Sequence, residues 1–419
     1  MKKMSFSQSV RFDKFDKLPL MFTLRHQSTQ SLSTTIIRKP STQSSSTTII
    51  RTPTLSITKN VIDVNIQNYF KNSKFKTHIA VYDTWPDTNN AEKEVLYRIV
   101  HACNMISVGV IVINNAGTII HLNNSPINNP NLKMLTDIHL NQIPKEYISF
   151  VLSLHYTSPK TTLHYTLHAL WNPFNFIVDP AHIQNLKTFD GYLSCYSDPI
   201  DNQINKYASS KIVGKLNHTL SYPILNVSDF RNDITCFYIG INWEQLSNTF
   251  PSRQLVLDLL KKLDNNVYIY GPRMVSNVNV WKNWNQYKGE IPFDGVSIIN
   301  VIKKCGACLV LSSPSHVKFE ISSNRLFEGL AAGVPLICDN HPFIKKWFGD
   351  NVFYIDINDP TCHEQVLRHI AFIKDPNNTN VVIHKLQECR NVFLTNFMMH
   401  HQLETIINHV KHLQLYLQL

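Results

Sequence analysis

Two glutamates with seven residues between them, Glu320 and Glu328, stand in the segment KFEISSNRLFEGLAAGVPLICD over 318–339. The segment reads as a strand, a loop and a helix. Ser323 or Asn324 is a natural N-cap for a helix through Ala332, and Gly333-Val334-Pro335 supplies residues suited to stopping it. A helix start turns free N–H groups and the positive end of the dipole toward whatever lies before it, which favours an anion such as phosphate. Arg325 occupies the first turn, where the dipole alone would prefer an acid, and this points to an anionic ligand held by a planar, two-pronged cation. Glu328, one turn into the helix, can accept paired hydrogen bonds from vicinal hydroxyls such as those of a ribose, and Glu320 at the strand's end can hold sugar hydroxyls. Standing alone, this segment would read as an exposed, salt-bridged helix start.

The elements around it place it at a sheet edge. From about residue 75, short apolar runs alternate with amphipathic stretches: HIAVYDTW, AEKEVLYRIVHACNMI, VGVIVIN, YISFVLSLHY and GYLSCY. Runs that are apolar on both faces and separated by helices predict a mainly parallel sheet covered on both sides. This first unit is expected over 61–220. A second series over 221–395 runs ITCFYIGIN, RQLVLDLLKKL, NNVYIYGP, a loop to GEIPFDG, VSIINVIKKC, CLVLSS, NRLFEGLAAG, PLICD, HPFIKKWFG and NVFYID. The fold class expected is therefore α/β, with two Rossmann-like doubly wound domains facing a cleft, and ligands are expected at the carboxyl ends of the strands. The helical pattern over 396–419 is expected to cross back to the first domain.

In the first domain, His155 follows an apolar strand and is a candidate for a catalytic role toward an acceptor; Asp83 follows an earlier strand in the same way. His164, His168 and the pair His400-His401 have no set of acids beside them and read as surface or interface residues. No Asp-x-Asp follows a strand, since SDPID has the wrong spacing, so no metal site is expected. Cys305-Gly-Ala-Cys308 has redox or zinc spacing, but no second pair stands at finger spacing, and structural thiols are the reading.

The segment 318–339 resembles the E-x7-E region of retaining, GT-B-fold glycosyltransferases of the family-four type and the CgeB-like group. That resemblance implies Glu328 for the donor ribose, Glu320 near the transferred sugar, and Ser323, Asn324 and Arg325 for the diphosphate. FYIGIN is similar to the first strand and turn of the family's donor domain, where Gly240 would let the backbone approach the phosphates. YKGEIPFDG is similar to the segment whose backbone reads the base, which implies Lys288, Gly289 and Ile291. The family's Gly-Phe-Gly is replaced here by Ile321-Ser322-Ser323, and its Arg/Lys pair after the first turn has Arg253 as the nearest substitute; Lys318 or Arg325 are the alternatives.

The resemblance implies transfer of a sugar from a nucleotide diphosphate sugar to a hydroxyl acceptor on a glycan, lipid or protein. Retention, independence of metal, and no cofactor beyond the donor co-substrate are expected with it. A catalytically degenerate nucleotide- or glycan-binding protein and a GT-B-like epimerase are the alternatives.

Bulk properties narrow the classes further. Hydrophobic residues make up 43% of the 419, enough to fold most of the length. The net charge of +10 is concentrated in residues 1–60, where ten Lys/Arg face only Asp13 and Asp16, so the other residues are near neutral and no nucleic-acid partner is expected. This stretch carries a tandem repeat, STQSLSTTIIRKP and STQSSSTTIIRTP, and its Ser/Thr-rich basic composition reads as a disordered tail suited to peripheral association with an acidic surface. Cysteines scattered in apolar runs suit a reducing compartment, no apolar run reaches membrane-spanning length, and a cytoplasmic protein is expected.

Overall fold

A computed structural model describes residues 66–86, 90–122, 138–207, 211–227, 234–246 and 254–417. The basic segment 1–60 and Arg253 lie outside them.

The first lobe is built on β1 (Thr77–Tyr82), β2 (Val108–Ile113), β3 (Ile119–Leu122), β4 (Ile148–Ser153), β5 (Thr166–Leu170), β6 (Gly191–Ser194) and β7 (Lys211–Lys215). Their order is β3-β2-β1-β4-β5-β6-β7, and all neighbours are parallel except β2 and β3. The runs VGVIVI and ISFVLS are buried at every residue, as strands covered on both faces must be. Helices α1 (66–72), α2 (Ala91–Met105), α3 (Phe174–Ile177), α4 (Pro180–Leu186) and α5 (Asp198–Tyr207) accompany them. Helix α2 begins at Asn90, whose side chain accepts from the amides of Glu92 and Lys93.

Strand β5, TLHAL, is buried throughout although Thr166 and His168 interrupt its apolar pattern. Both are satisfied locally: Thr166 N donates to Asp190 Oδ2 at 2.8 Å, and His168 Nδ1 lies 3.0 Å from Ser153 Oγ, its ring stacked on Phe189. His164 is buried as well, with Nε2 3.2 Å from the carbonyl of Leu140. The surface expectation for His164 and His168 is thereby corrected: sheet pairing carries His168 inward and the bend before β5 turns His164 inward, where each neutral imidazole has a hydrogen-bond partner.

The second lobe carries β8 (Thr235–Ile239), β9 (Val267–Tyr270), β12 (Tyr287–Gly289), β13 (Gly306–Val310), β14 (Leu336–Asp339) and β15 (Phe353–Ile355), all parallel in the order β12-β9-β8-β13-β14-β15. A short hairpin, β10 (Met274–Val275) with β11 (Val278–Asn279), stands beside it. Helices α6 (Gln254–Leu263), α7 (Ser297–Cys305), α8 (Pro314–Lys318), α9 (Asn324–Ala332), α10 (Pro342–Phe348), α11 (Cys362–Lys374) and α12 (Thr379–Asn396) form the layers. One face is filled by Phe237, Ile299, Phe327 and Phe393, the other by Leu260, Ile269, Leu309 and Val366.

All eight cysteines are free and buried, and burial pushes the thiols of Cys305 and Cys308 up, so both pack as small apolar groups. After α12 the chain returns as α13 (Met399–Leu417), which inserts Met399, Leu403, Ile406 and Val410 into the first lobe's core. Gln402 accepts from the amide of Asn217 at 2.7 Å, and Gln414 donates to the carbonyl of Ser149 at 2.9 Å, so the helix is fixed at both ends.

Candidate functional site

In the second sheet the winding direction reverses between β8 and β13, so the loops after these strands flank the crevice where doubly wound folds bind ligands. The loop after β13 is Leu311-Ser312-Ser313, and Asp339 at the end of β14 fixes it by accepting from Ser312 N at 2.6 Å. Ser313 then caps α8, with Pro314 in the first turn and Ser313 Oγ 2.6 Å from His316 Nδ1. That cap explains why the strand expected up to Glu320 is absent: β13 has already ended at Val310, and Glu320 lies in the turn after α8.

The chain then passes through Ile321-Ser322-Ser323 into α9. Ser323 is the N-cap by backbone geometry, yet its hydroxyl makes no capping bond and is buried without a partner among the described residues. Ser322 Oγ and Arg325 Nε are buried without partners in the same sense. The Arg325 guanidinium is otherwise steered by the carbonyl of Leu311 at 3.4 Å and by the ring of Tyr238, whose centroid is 5.5 Å away. These groups wall a cavity of about 130 Å³ together with Leu311, Ser312, Ser313, His316, Ile321 and Asn324. One water needs only ~10–15 Å³, so the space admits a ligand group.

Across the cavity the first lobe presents Trp171, Cys195 and His218, which follow β5, β6 and β7. Trp171 donates Nε1–H to the carbonyl of Leu216 at 2.7 Å, and its ring stacks on His218 at 4.9 Å and 11°. Burial, with Arg98 adding to it, lowers the His218 pKa to about 3, so the imidazole is neutral, and its Nε2 has no partner among the described residues. Sequence reasoning missed these three because nothing in a lone Trp or His says which sheet edge it will face. Ser312 and Ser313 could have been found, since they directly follow the buried run of β13.

Glu320 and Glu328 do not wall the cavity; both belong to the seam between the lobes. Phe319 and Ile321 pack into the first lobe's cluster around Leu170, Phe174 and Tyr196, and Glu320 between them is held at a left-handed φ of 55°. Glu328 is 0% exposed, and its Oε1 accepts from Arg98 Nη2 at 2.7 Å and Asn324 Nδ2 at 3.2 Å. Packing thus treats the two acids differently: Glu328 is buried against the first lobe with its Oε2 without a donor among the described residues, whereas Glu320 stays partly exposed in the turn after α8.

The remaining candidates are dispersed. Gly240 follows β8, where its carbonyl lies so close to Gly271 that a Cβ on Gly271 would meet it at 2.1 Å. Lys288 is exposed over the Tyr268 ring, Gly289 turns the chain at φ 120°, and Ile291 is a core residue. Lys318 is exposed at the end of α8 over Phe319 and is not among the residues walling the cavity. His155 lies at the other sheet's edge, with Nδ1 2.7 Å from Thr157 Oγ1 and its ring against Trp85 and Tyr156; burial lowers its pKa to about 4. Asp83 is buried in an ion pair with Lys93.

Residues 252–408 match the model of a family described as glycosyl transferase-like. No curated protein matches the chain. Among solved structures, an α-glucosyltransferase in complex with UDP and a 13-mer DNA containing an HMU base is similar at 9% identity, over 80% of this chain and 99% of that one, with a TM-score of 0.53. Sucrose-phosphate synthase from Thermosynechococcus elongatus is similar at 11% identity, over 82% and 98%, with a TM-score of 0.50. At such identities the likeness speaks for the fold. Both sheets, their switch points and the returning helix α13 make this chain a GT-B fold whose second lobe, over 252–408, matches the glycosyl transferase-like family.

Proposed function

We propose that the protein is a glycosyltransferase that moves a sugar from a nucleoside diphosphate sugar to a hydroxyl acceptor, with retention and without a metal. The observation that carries this reading is the set of buried polar atoms on Ser322, Ser323 and Arg325 at the start of α9 that have no partner among the described residues, in a cavity at the sheet's switch point. Leaving such atoms unpaired costs about 1–3 kcal/mol each, and a diphosphate supplies acceptors for all three. Arg325 and the first-turn amides would then neutralise charge on the leaving diphosphate, the electrostatic work that a metal ion does in other transferases.

In this reading Glu328 offers Oε2 to a ribose hydroxyl, Glu320 faces the transferred sugar, and the backbone at Gly240 and Lys288–Ile291 lies along the nucleotide. The acceptor approaches from the first lobe, past His218 or His155. UDP is the nucleotide named with the α-glucosyltransferase neighbour, so UDP, GDP and their sugars are the first probes. Titration calorimetry of wild type against Arg325→Met tests the reading: binding should weaken ten- to a hundredfold, the ~1.5–3 kcal/mol of a charge-assisted bond, and should survive EDTA. A wild-type chain that binds no nucleoside diphosphate would sink it, and binding without turnover of any sugar nucleotide would leave a degenerate relative.

A further inference from the structure

The seam between the lobes holds three ionisable side chains that sequence analysis did not connect. Arg98, on α2 of the first lobe, is fully buried and its Nη2 bridges Glu94 Oε1 at 2.6 Å and Glu328 Oε1 at 2.7 Å. Glu94 Oε2 accepts from the amide of Gly295 at 2.9 Å, so the second lobe grips the same carboxylate with its backbone. Gly295 has φ 78°, and a Cβ there would meet Tyr97 Cβ at 3.2 Å, so glycine is what lets that loop lie against α2. Burial works against the charge on Arg98, but Glu328 and Glu94 outweigh it and raise its pKa; burial raises the pKa of Glu94 despite Arg98 and the Gly295 amide.

The triad does not end at the seam. Glu328 Oε1 also accepts from Asn324, which walls the cavity, and Arg98 lies near enough to His218 on the opposite wall to depress its pKa. A chain of contacts therefore runs from α2 through Glu328 to the first residue of α9. Arg98 Nε and Nη1 and Glu328 Oε2 remain without partners along it among the described residues.

We infer that Arg98 is a positioning residue supplied by the first lobe: by holding Glu328, and through it Asn324, it sets the start of α9 for a nucleoside diphosphate, so that the nucleotide is held fully only when the lobes are closed. This rests on the reading of the cavity as a nucleotide site. A buried ion triad that served stability alone would have no reason to end on a cavity wall, and it could be replaced by apolar groups at little cost.

A double-mutant cycle of Arg98→Met and Asn324→Ala, read by UDP titration well below each melting temperature, tests the coupling. Each single variant should weaken UDP more than tenfold, and the double variant should lose little beyond the larger single loss, because both act through one arrangement. Additive losses, unchanged affinity in Arg98→Met with a lowered melting temperature, or tighter binding would each overturn the inference. Should Arg98→Met not fold, hydrogen exchange on the wild-type chain decides: UDP should slow exchange in residues 91–105, which do not wall the cavity, and unchanged exchange there overturns the inference. A wild-type chain that binds neither UDP nor GDP removes the nucleotide reading itself, a failure distinct from the loss of coupling.

Discussion

The two lobes share one construction and use it differently. Each has a mainly parallel sheet wound in both directions from its first strand, with a crevice where the winding reverses. At the second lobe's reversal, between β8 and β13, polar groups around a cavity have no partners among the described residues. At the first lobe's reversal, between β1 and β4, Asp83 is ion-paired with Lys93, Thr84 donates to Glu92 and lies 3.2 Å from Ser158, and Trp85 covers His155. A shared topology thus fixes where a site can be, while the loop residues decide how far polar groups pair with one another.

The strongest perturbation of this contrast lies in the second crevice's backbone. Gly271→Ala places a Cβ 2.1 Å from the Gly240 carbonyl at φ 138°, and should cost on the order of 3 kcal/mol or more, read as loss of folded protein or of melting temperature. Gly289→Ala, at φ 120° with nothing within 4 Å, should cost only the backbone strain of about 1–3 kcal/mol. Equal losses would show that the close approach of the two loops is not what Gly271 provides.

Glu328→Gln comes next. Sequence analysis alone would let this variant weaken nucleotide binding and leave melting nearly unchanged, but a carboxylate 0% exposed and paired with Arg98 makes melting fall too, by about 3 kcal/mol at most because Arg98 keeps Glu94. Unchanged melting would mean that the seam opens freely in solution.

Acid should separate the lobes. Burial lowers the pKa of His78 and His155 to about 4 and of His168 and His218 to about 3, all in the first lobe, whereas among the described residues His341 is the histidine so affected within the second sheet's loops. A depressed folded-state value gives stability that is full above about pH 6.5 and is lost as pH falls toward 4. Hydrogen exchange should therefore quicken first in strands over 77–215 below pH 5, while 306–355 stays protected. Simultaneous loss in both would mean that the lobes unfold as one.

The weakest effect is at Glu92, whose carboxyl burial pushes up to about 7 and whose Oε2 has no partner among the described residues. A raised folded-state value means stability is lost as pH rises from about 4.5 through 7. Glu92→Gln should raise the melting temperature at pH 8 by a few degrees and lose that advantage near pH 4.5. An advantage that is the same at both pH values would place the gain in packing rather than in charge.

Much of the scaffold was legible in the chain. VGVIVI and ISFVLS could only be strands buried on both faces, and NRLFEGLAAG followed by Val-Pro could only be a helix with a stop, because hydrophobic period and the conformational limits of Gly and Pro are local properties. The switch points follow once the strands are ordered, and with them Ser312 and Ser313. Strand β5 and the burial of His168 were not legible, since polar residues enter a sheet only where neighbours such as Asp190 and Ser153 satisfy them, and the burial of His164 rests on the carbonyl of Leu140, 24 residues away.

Local pattern was enough to dictate two doubly wound lobes and a helix start in which Arg325 follows two serines and Asn324. Which neighbours the two glutamates meet was decided by packing alone. Seven intervening residues put Glu320 and Glu328 on either side of that helix start, but a carboxylate's role depends on what charge lies within a few ångströms. The charge that claims Glu328 is Arg98, 230 residues away along the chain, brought there by the packing of one lobe on the other.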